Sequence, residues 1–272
     1  MWFEGEGYGK AILIGEHFVV HGARGIGIGI PLKTVVRVRR APSLAFSFQC
    51  GDLLKEATGR ILERVAGDAD FEVRVESGLP AGAGVGWSAS YCVALARAAG
   101  KAAGKGMGDA EAAEIAFEGE KVFHGNPSGI DNALASHGGA LLFRKGERPE
   151  AVALGGKFHF VIANSGKKGP TRELVEMVSS FREGKPEEYG AMEEAEGWLV
   201  EKALEALRKG DAEALGRVMD NNNELLARLG LSTPKIEGIR GIALGEGALG
   251  AKITGAGGGG CVLILAPDAA KA

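Results

Sequence analysis

The segment Gly78-Leu79-Pro80-Ala81-Gly82-Ala83-Gly84-Val85-Gly86-Trp87-Ser88-Ala89-Ser90 constrains this chain more than any other. Its glycines interrupt strand and helix alike, and it runs into an alanine-rich stretch, Ser88 to about Ala103, that reads as a helix. Glycine lets backbone N–H groups come close to a ligand. A helix start adds unpaired donors and the positive end of a dipole. Loop and helix together predict a cradle for an anion, and nucleotide phosphates are the fitting class. Trp87 stands apart, because it sets an indole at the mouth of a loop otherwise built from small residues.

Periodicity organises the rest. Residues 10–14 and 26–30 are short apolar runs, while 34–40, 44–50 and 71–76 alternate, all predicting strands. Residues 52–66 predict a helix with Leu53, Leu54, Ala57, Ile61 and Leu62 on one face. Helices over 88–103 and 109–123, the second capped by Asp109, precede a strand over 138–144. Gly, Pro and charge cluster over 145–157 without apolar period, which divides the chain into domains 1–155 and 156–272. A strand over 158–163 then leads to helices near 171–181, 187–208, 211–229 and 234–244. Strands over 251–254 and 261–265 close the chain, with the turn 255–260 between them. Strands and helices do not alternate strictly, so the expected class is α+β in two lobes rather than a doubly wound sheet.

Composition narrows the function classes. With 272 residues, 45% hydrophobic and 25% charged, the chain is long enough for a substantial core. A net charge of -3 provides no basic face, which argues against nucleic acid as a partner. Three scattered cysteines, Cys50, Cys92 and Cys261, fit neither a metal site nor a disulfide framework. No apolar run reaches membrane-spanning length, and Glu4 and Glu6 do not suit a signal peptide, so a cytoplasmic protein is expected.

Several glycine motifs bind phosphate. No Gly-x-x-x-x-Gly-Lys string followed by Ser or Thr occurs. Gly255, Gly257 and Gly260 satisfy Gly-x-Gly-x-x-Gly, but a strand follows where the dinucleotide motif needs a helix. A further cluster runs from Glu118 through His124-Gly125-Asn126-Pro127-Ser128-Gly129-Ile130-Asp131-Asn132 and holds two carboxylates, Glu120 and Asp131. Taken singly, the turn is an ordinary loop and Glu120 a solvated helix-end carboxylate. With the glycine loop and Lys10 they make a phosphoryl-transfer set of cradle, metal ligands, base and cation. His17 and His21 are spaced like a helical metal pair, yet they lie in strand and loop, which disfavours metal. Asn221, Asn222 and Asn223 read as a solvated helix face without a catalytic role.

Three motifs span nearly the whole chain: Gly9-Lys10-Ala11-Ile12-Leu13-Ile14-Gly15-Glu16-His17-Phe18-Val19-Val20-His21-Gly22, the opening loop through Tyr91, and Lys252-Ile253-Thr254-Gly255-Ala256-Gly257-Gly258-Gly259-Gly260-Cys261. With the His124 to Asn132 segment they resemble the GHMP kinases, and within these the mevalonate kinases. The resemblance implies an N-terminal lobe like domain 2 of ribosomal protein S5 and a ferredoxin-like C-terminal lobe. It implies ATP bound at Ala83, Gly84, Val85, Gly86, Trp87, Ser88 and Ala89, and Mg2+ held by Ser88 and Glu120. Asp131 matches the catalytic base and Lys10 the lysine beside it; Glu16, His17, Thr171 and Arg172 match substrate positions. Arg172 suits the mevalonate carboxylate, and Gly257 lets backbone pack closely in the turn. The implied reaction is phosphorylation of the 5-hydroxyl of mevalonate in isoprenoid synthesis, by an enzyme of a family that often forms homodimers.

Departures keep alternatives open. Tyr8 replaces a common proline, Trp87 replaces the first serine of Gly-Leu-Gly-Ser-Ser-Ala, and the stretch from Pro31 to Asp70 is short. The indole either packs beside the nucleotide or occludes it in a non-catalytic nucleotide-binding homologue. Another small-molecule kinase of the same fold, for phosphomevalonate, homoserine or a sugar, is the remaining reading.

Overall fold

A computed structural model of the chain describes every residue except 81–83, 126, 128 and 168. In chain order its elements are β1 (Phe3–Ile14), a short 3-10 helix (Phe18–His21), β2 (Arg24–Arg40), β3 (Ala45–Phe46), α1 (Asp52–Ala66) and β4 (Phe71–Ser77). Then come α2 (Trp87–Ala102), α3 (Asp109–His124), α4 (Ile130–His137), β5 (Ala140–Arg144), β6 (Glu150–Ala151) and β7 (His159–Asn164). The chain finishes with α5 (Thr171–Gly184), α6 (Pro186–Lys209), α7 (Ala212–Arg228), α8 (Pro234–Gly245), β8 (Gly250–Thr254) and β9 (Cys261–Ala266). The fold is α+β, and its described residues group into two compact units. One draws on residues within 1–10, 29–80 and 85–139, the other on residues within 11–28, 84 and 140–272. No helix among the described residues is long and apolar enough to cross a membrane.

In the first unit, residues 34–40 of β2 pair antiparallel with β4, Thr34 opposite Ser77 and Arg40 opposite Phe71. The strand period of two turns Val36 and Val38 inward with Phe71 and Val73. It sends Arg37 and Arg39 outward to Glu76 and Glu72. Helix α1 buries Ala57, Ile61, Leu62 and Val65, spaced for one helical face. Helix α2 is buried almost all round, which its small residues permit. Strand β1 passes so close that a Cβ on Gly7 would stand 2.1 Å from the Ser90 carbonyl oxygen.

In the second unit, β7, β9 and β8 make an antiparallel sheet in that order. Strands β8 and β9 are buried along their whole length. Strand β8 lies at an edge, and α7 satisfies its outward donors: Ala251 N–H donates to Asp220 Oδ1 and Ile253 N–H to Asn223 Oδ1, both at 3.0 Å. Two side chains on one helix thus take the place of a neighbouring strand. Residues 24–28 of β2 pair with β5, and β6 extends β5.

Some expectations need correction. The strand over 44–50 reduces to β3, because only Ala45 and Phe46 find ladder partners, on β4. Asp109 is not the cap of α3; Gly108 holds that position and the Asp109 carboxylate binds Arg97 at 2.5 Å. Of the three asparagines read as solvated, Asn221 is exposed, but Asn222 and Asn223 are 0% and 1% exposed and buried. Helix α4 stands where only a turn and a following strand were expected.

Candidate active site

The first unit gathers four of the expected residues from three helices and a strand. The Lys10 N–H on β1 donates to the Val85 carbonyl of the glycine loop at 2.9 Å. Gly86 has φ 78°, and a Cβ there would lie 2.6 Å from Lys10 Cγ. Glycine alone lets the loop close over the lysine. The Lys10 side chain is largely buried, and its Nζ lies 3.1 Å from Asp131 Oδ1 in the first turn of α4. Ser88 occupies the first turn of α2, with its hydroxyl 3.3 Å from His124 Nε2 and facing the Glu120 carboxyl.

Glu120 is 1% exposed, so it is not a solvated helix-end carboxylate. Its Oε2 stands 3.6 Å from His124 Nε2, while the buried Oε1 has no partner. Burial, and then the charge of Asp131, push its pKa up to about 7 against the pull of Ser88 and Lys10. A buried carboxyl with an orphaned oxygen, beside a hydroxyl and a second carboxylate, is short of positive charge. That donor set suits magnesium, which prefers oxygen and takes one or two carboxylates together with waters and substrate phosphates. No group of three His, Cys, Asp or Glu side chains placed to hold a metal occurs among the described residues.

Of the other loop residues, Ala83 lies outside the described residues, as do Asn126 and Ser128 of the third cluster. Val85 and Ala89 are buried, Gly84 is exposed, and Gly86, Trp87 and Ser88 are partly exposed. The Trp87 indole stacks on Tyr91 one turn along α2, with centroids 5.6 Å apart and planes 4° from parallel. Tyr91 in turn shares a hydrogen bond of 2.6 Å with the Thr58 hydroxyl.

The second unit holds the remaining expected residues. His17 has φ 65°, the one left-handed non-glycine residue among those described. Its Nε2 is 2.9 Å from the Ala256 carbonyl oxygen, and burial lowers its pKa, keeping the ring neutral. Glu16 pairs with Lys252, and both are buried. The segment before α5 packs on the glycine turn, where a Cβ on Gly169 would meet the Gly257 carbonyl oxygen at 2.0 Å. Glu16, His17 and the turn therefore come together. Thr171 is exposed at the start of α5, and Arg172 is bonded at 2.9 Å to Glu176 on that helix.

Sequence reading assigned no part to Lys252, Glu196 or Asn222. One signal was available: Lys252 interrupts an apolar strand, and a charge so placed demands a buried partner.

The GHMP kinases N terminal domain model matches residues 52–139, and the GHMP kinases C terminal model matches 203–272. The mevalonate kinase of Aeropyrum pernix is 35% identical over 94% of this chain and 86% of its own length. That of Archaeoglobus fulgidus is 35% identical over 94% of this chain and 90% of its own. Among solved structures, L. major mevalonate kinase in complex with R-mevalonate superposes with a TM-score of 0.92 at 32% identity, covering 98% of this chain and 88% of that one. The Methanococcus jannaschii mevalonate kinase gives 0.83 at 28% identity, over 98% and 90%. The chain belongs to the mevalonate kinase family of the GHMP kinases.

Proposed function

We propose that this chain transfers the γ-phosphoryl group of ATP to the 5-hydroxyl of mevalonate, giving 5-phosphomevalonate and ADP. The supporting observation is the cluster of Lys10, Asp131, Ser88 and buried Glu120 beside the glycine loop. It occurs in a chain 35% identical to a mevalonate kinase along most of its length.

In this reading the backbone N–H groups from Gly84 to Ser88 and the start of α2 receive the nucleotide phosphates. Ser88 and Glu120 would hold magnesium, which when bound neutralises charge on the phosphates. Asp131 orients the acceptor hydroxyl and takes its proton on a carboxylate oxygen. Lys10, 3.1 Å from that carboxylate, offsets the negative charge that builds on the acceptor oxygen. The new bond joins that oxygen to the γ-phosphorus as the β,γ-bridge breaks and ADP leaves.

Glu16 and His17 are proposed for acceptor contact, the neutral imidazole binding through a hydrogen bond rather than a charge. Thr171 and Arg172 are proposed for the carboxylate end. Arg172 must first leave Glu176, but that pair is exposed and four residues apart on one helix, so solvent screening leaves little to lose. Gly257 would keep backbone close to the acceptor. Residues 1–155 serve as the nucleotide-binding lobe and 156–272 as the second lobe, in a cytoplasmic homodimer whose mass sedimentation would report.

A coupled ADP-release assay with mevalonate, phosphomevalonate, homoserine and galactose tests the reaction. Saturable turnover is expected with mevalonate alone. Turnover with another acceptor, or ATP binding without turnover, would overturn it.

A further inference from the structure

Behind His17 lies a group of buried ionisable side chains that the transfer step does not use. Lys252 on β8, Glu16 in the turn after β1, and Glu196 on α6 are 0%, 3% and 0% exposed. Lys252 Nζ donates to Glu16 Oε1 and to the Ile253 carbonyl. Asn222 Nδ2 donates to Glu196 Oε2 at 2.7 Å, and the Gly15 N–H faces the same carboxyl. Three buried acceptors are left without a donor: Glu16 Oε2, Glu196 Oε1 and Asn222 Oδ1.

Charge is unbalanced as well, with one ammonium set against two carboxyls. Two ionised carboxylates in an interior with one cation leave a buried charge uncompensated. One proton removes the excess charge and eases the shortage of donors. It makes a carboxyl neutral and turns an orphaned acceptor into a donor among acceptors. Burial raises the Glu16 pKa, but the bonded Lys252 ammonium opposes it, whereas no cation is bonded to Glu196, so the proton belongs on Glu196.

We infer that Glu196 is held as a neutral carboxylic acid and that, through Gly15 and Glu16, it is a positioning residue for His17; this rests on the reaction proposed above. Burial first, and then the charge of Glu16, carry its pKa up to about 8, with Asn222, Lys252 and Gly15 pulling the other way. The titratable or charged groups facing it are Glu16 from the turn, Lys252 from β8 and Tyr189 from its own helix. His17 depends on such support, since a left-handed non-glycine residue persists only where its surroundings over-determine it. Beside its own backbone hydrogen bonds, the turn is held by His17 to Ala256 and by Glu16 to Lys252, and the Glu196 carboxyl faces Gly15. Ionising Glu196 sets a second negative charge beside Glu16, draws Lys252 between the two, and loosens the turn.

Infrared titration of the whole protein, together with the KM for mevalonate across pH, tests this in wild type, Glu196→Gln and Glu196→Ala. In wild type a protonated-carboxyl C=O band should be present at neutral pH and vanish with a midpoint near the expected value of about 8. Glu196→Gln should lack the component that titrates near 8 and keep the lower one that Glu120 gives near 7. Wild-type KM should rise about tenfold on the alkaline side, as one charge-assisted hydrogen bond is lost, with kcat little changed. Glu196→Gln, whose amide stays neutral and donates, should keep a low KM throughout, and Glu196→Ala a raised KM at every pH. A component near 8 that survives in Glu196→Gln, or a Glu196→Gln KM profile that superposes on wild type, overturns the inference. The infrared arm needs no turnover, so a chain inactive on mevalonate would sink the reaction while the band still judged the proton.

Discussion

Replacing Gly86 with alanine tests whether the glycine loop exists to close on Lys10. Gly86 has φ 78°, and an added Cβ would stand 2.6 Å from Lys10 Cγ and 3.4 Å from its Cε. Two costs follow, and they can be separated. Left-handed backbone costs a non-glycine residue about 1–2 kcal/mol. Carbon atoms also prefer contacts of roughly 3.5–4.0 Å, so the lysine chain must shift by about 1 Å. That chain is buried and tied to Asp131 at 3.1 Å, so the shift reaches the pair. A displacement of about 1 Å at a reacting centre costs on the order of a hundredfold in rate. Gly104, just beyond the other end of α2, is the control: its φ is 73°, with nothing within 4 Å of an added Cβ among the described residues. Both variants should melt roughly 2–8 °C lower, taking about 2–4 °C for each kcal/mol in a chain of this size. Only Gly86→Ala should lose kcat about a hundredfold, in the ADP-release assay at saturating ATP and mevalonate. Wild-type kcat in Gly86→Ala, or an equal loss in Gly104→Ala, would show that this contact does not set the rate.

Asp131→Asn keeps the volume and removes the charge beside Lys10, so kcat should fall by roughly 10²–10⁴ while thermal melts change little, because the carboxylate is about one-third exposed. Lys252→Met leaves Glu16 and Glu196 buried without a cation and should cost about 3–5 kcal/mol in urea unfolding; a loss under about 1 kcal/mol would contradict the buried-pair account. Trp87→Ser removes the stack on Tyr91, worth about 0.5–1.5 kcal/mol beyond the buried area, and should lower stability with KM for ATP little changed. A large rise in KM without a change in melting would instead put the indole on the nucleotide. The folded Glu196 pKa of about 8 stands above its ordinary 4.5, so the native state holds a proton the unfolded chain releases in that window, and stability falls as pH rises through it. Glu196→Gln should flatten that fall in melts recorded across the same range.

Long, strongly periodic elements were legible. Helix α1 has the bounds its apolar spacing predicted, and the turn over 255–260 does separate two strands. Short elements were not. Helix α4 has eight residues and β3 and β6 two each, too few to carry a period, and their pairing depends on β4 and β5. Asp109 was misread because a good capping residue says nothing about which residue takes the cap when Arg97 competes for its carboxylate. The site was legible as a set rather than by residue. Lys10, Ser88, Glu120 and Asp131 each had an ordinary reading, and their grouping came from the family resemblance. Burial of Glu120 was invisible locally, because it arises from packing against α2 and α4 rather than from its own helix.

The Glu16, Lys252 and Glu196 group shows what a single sequence conceals and what it still implies. These residues lie far apart in the chain, so no window of sequence joins them. Yet Lys252 within Ala251-Lys252-Ile253 already required a buried carboxylate, since an unpaired ammonium in a strand with no exposed residue is prohibitively costly. Pairing alone would have ended with Glu16. A second buried carboxyl adds desolvation without a second cation, and well-packed apolar residues would often be as stable or more so. Stability therefore does not account for Glu196. Its position does: it faces Gly15 and Glu16, two residues and one residue before the left-handed His17, where a neutral carboxyl leaves Lys252 to Glu16 and an ionised one would compete for it.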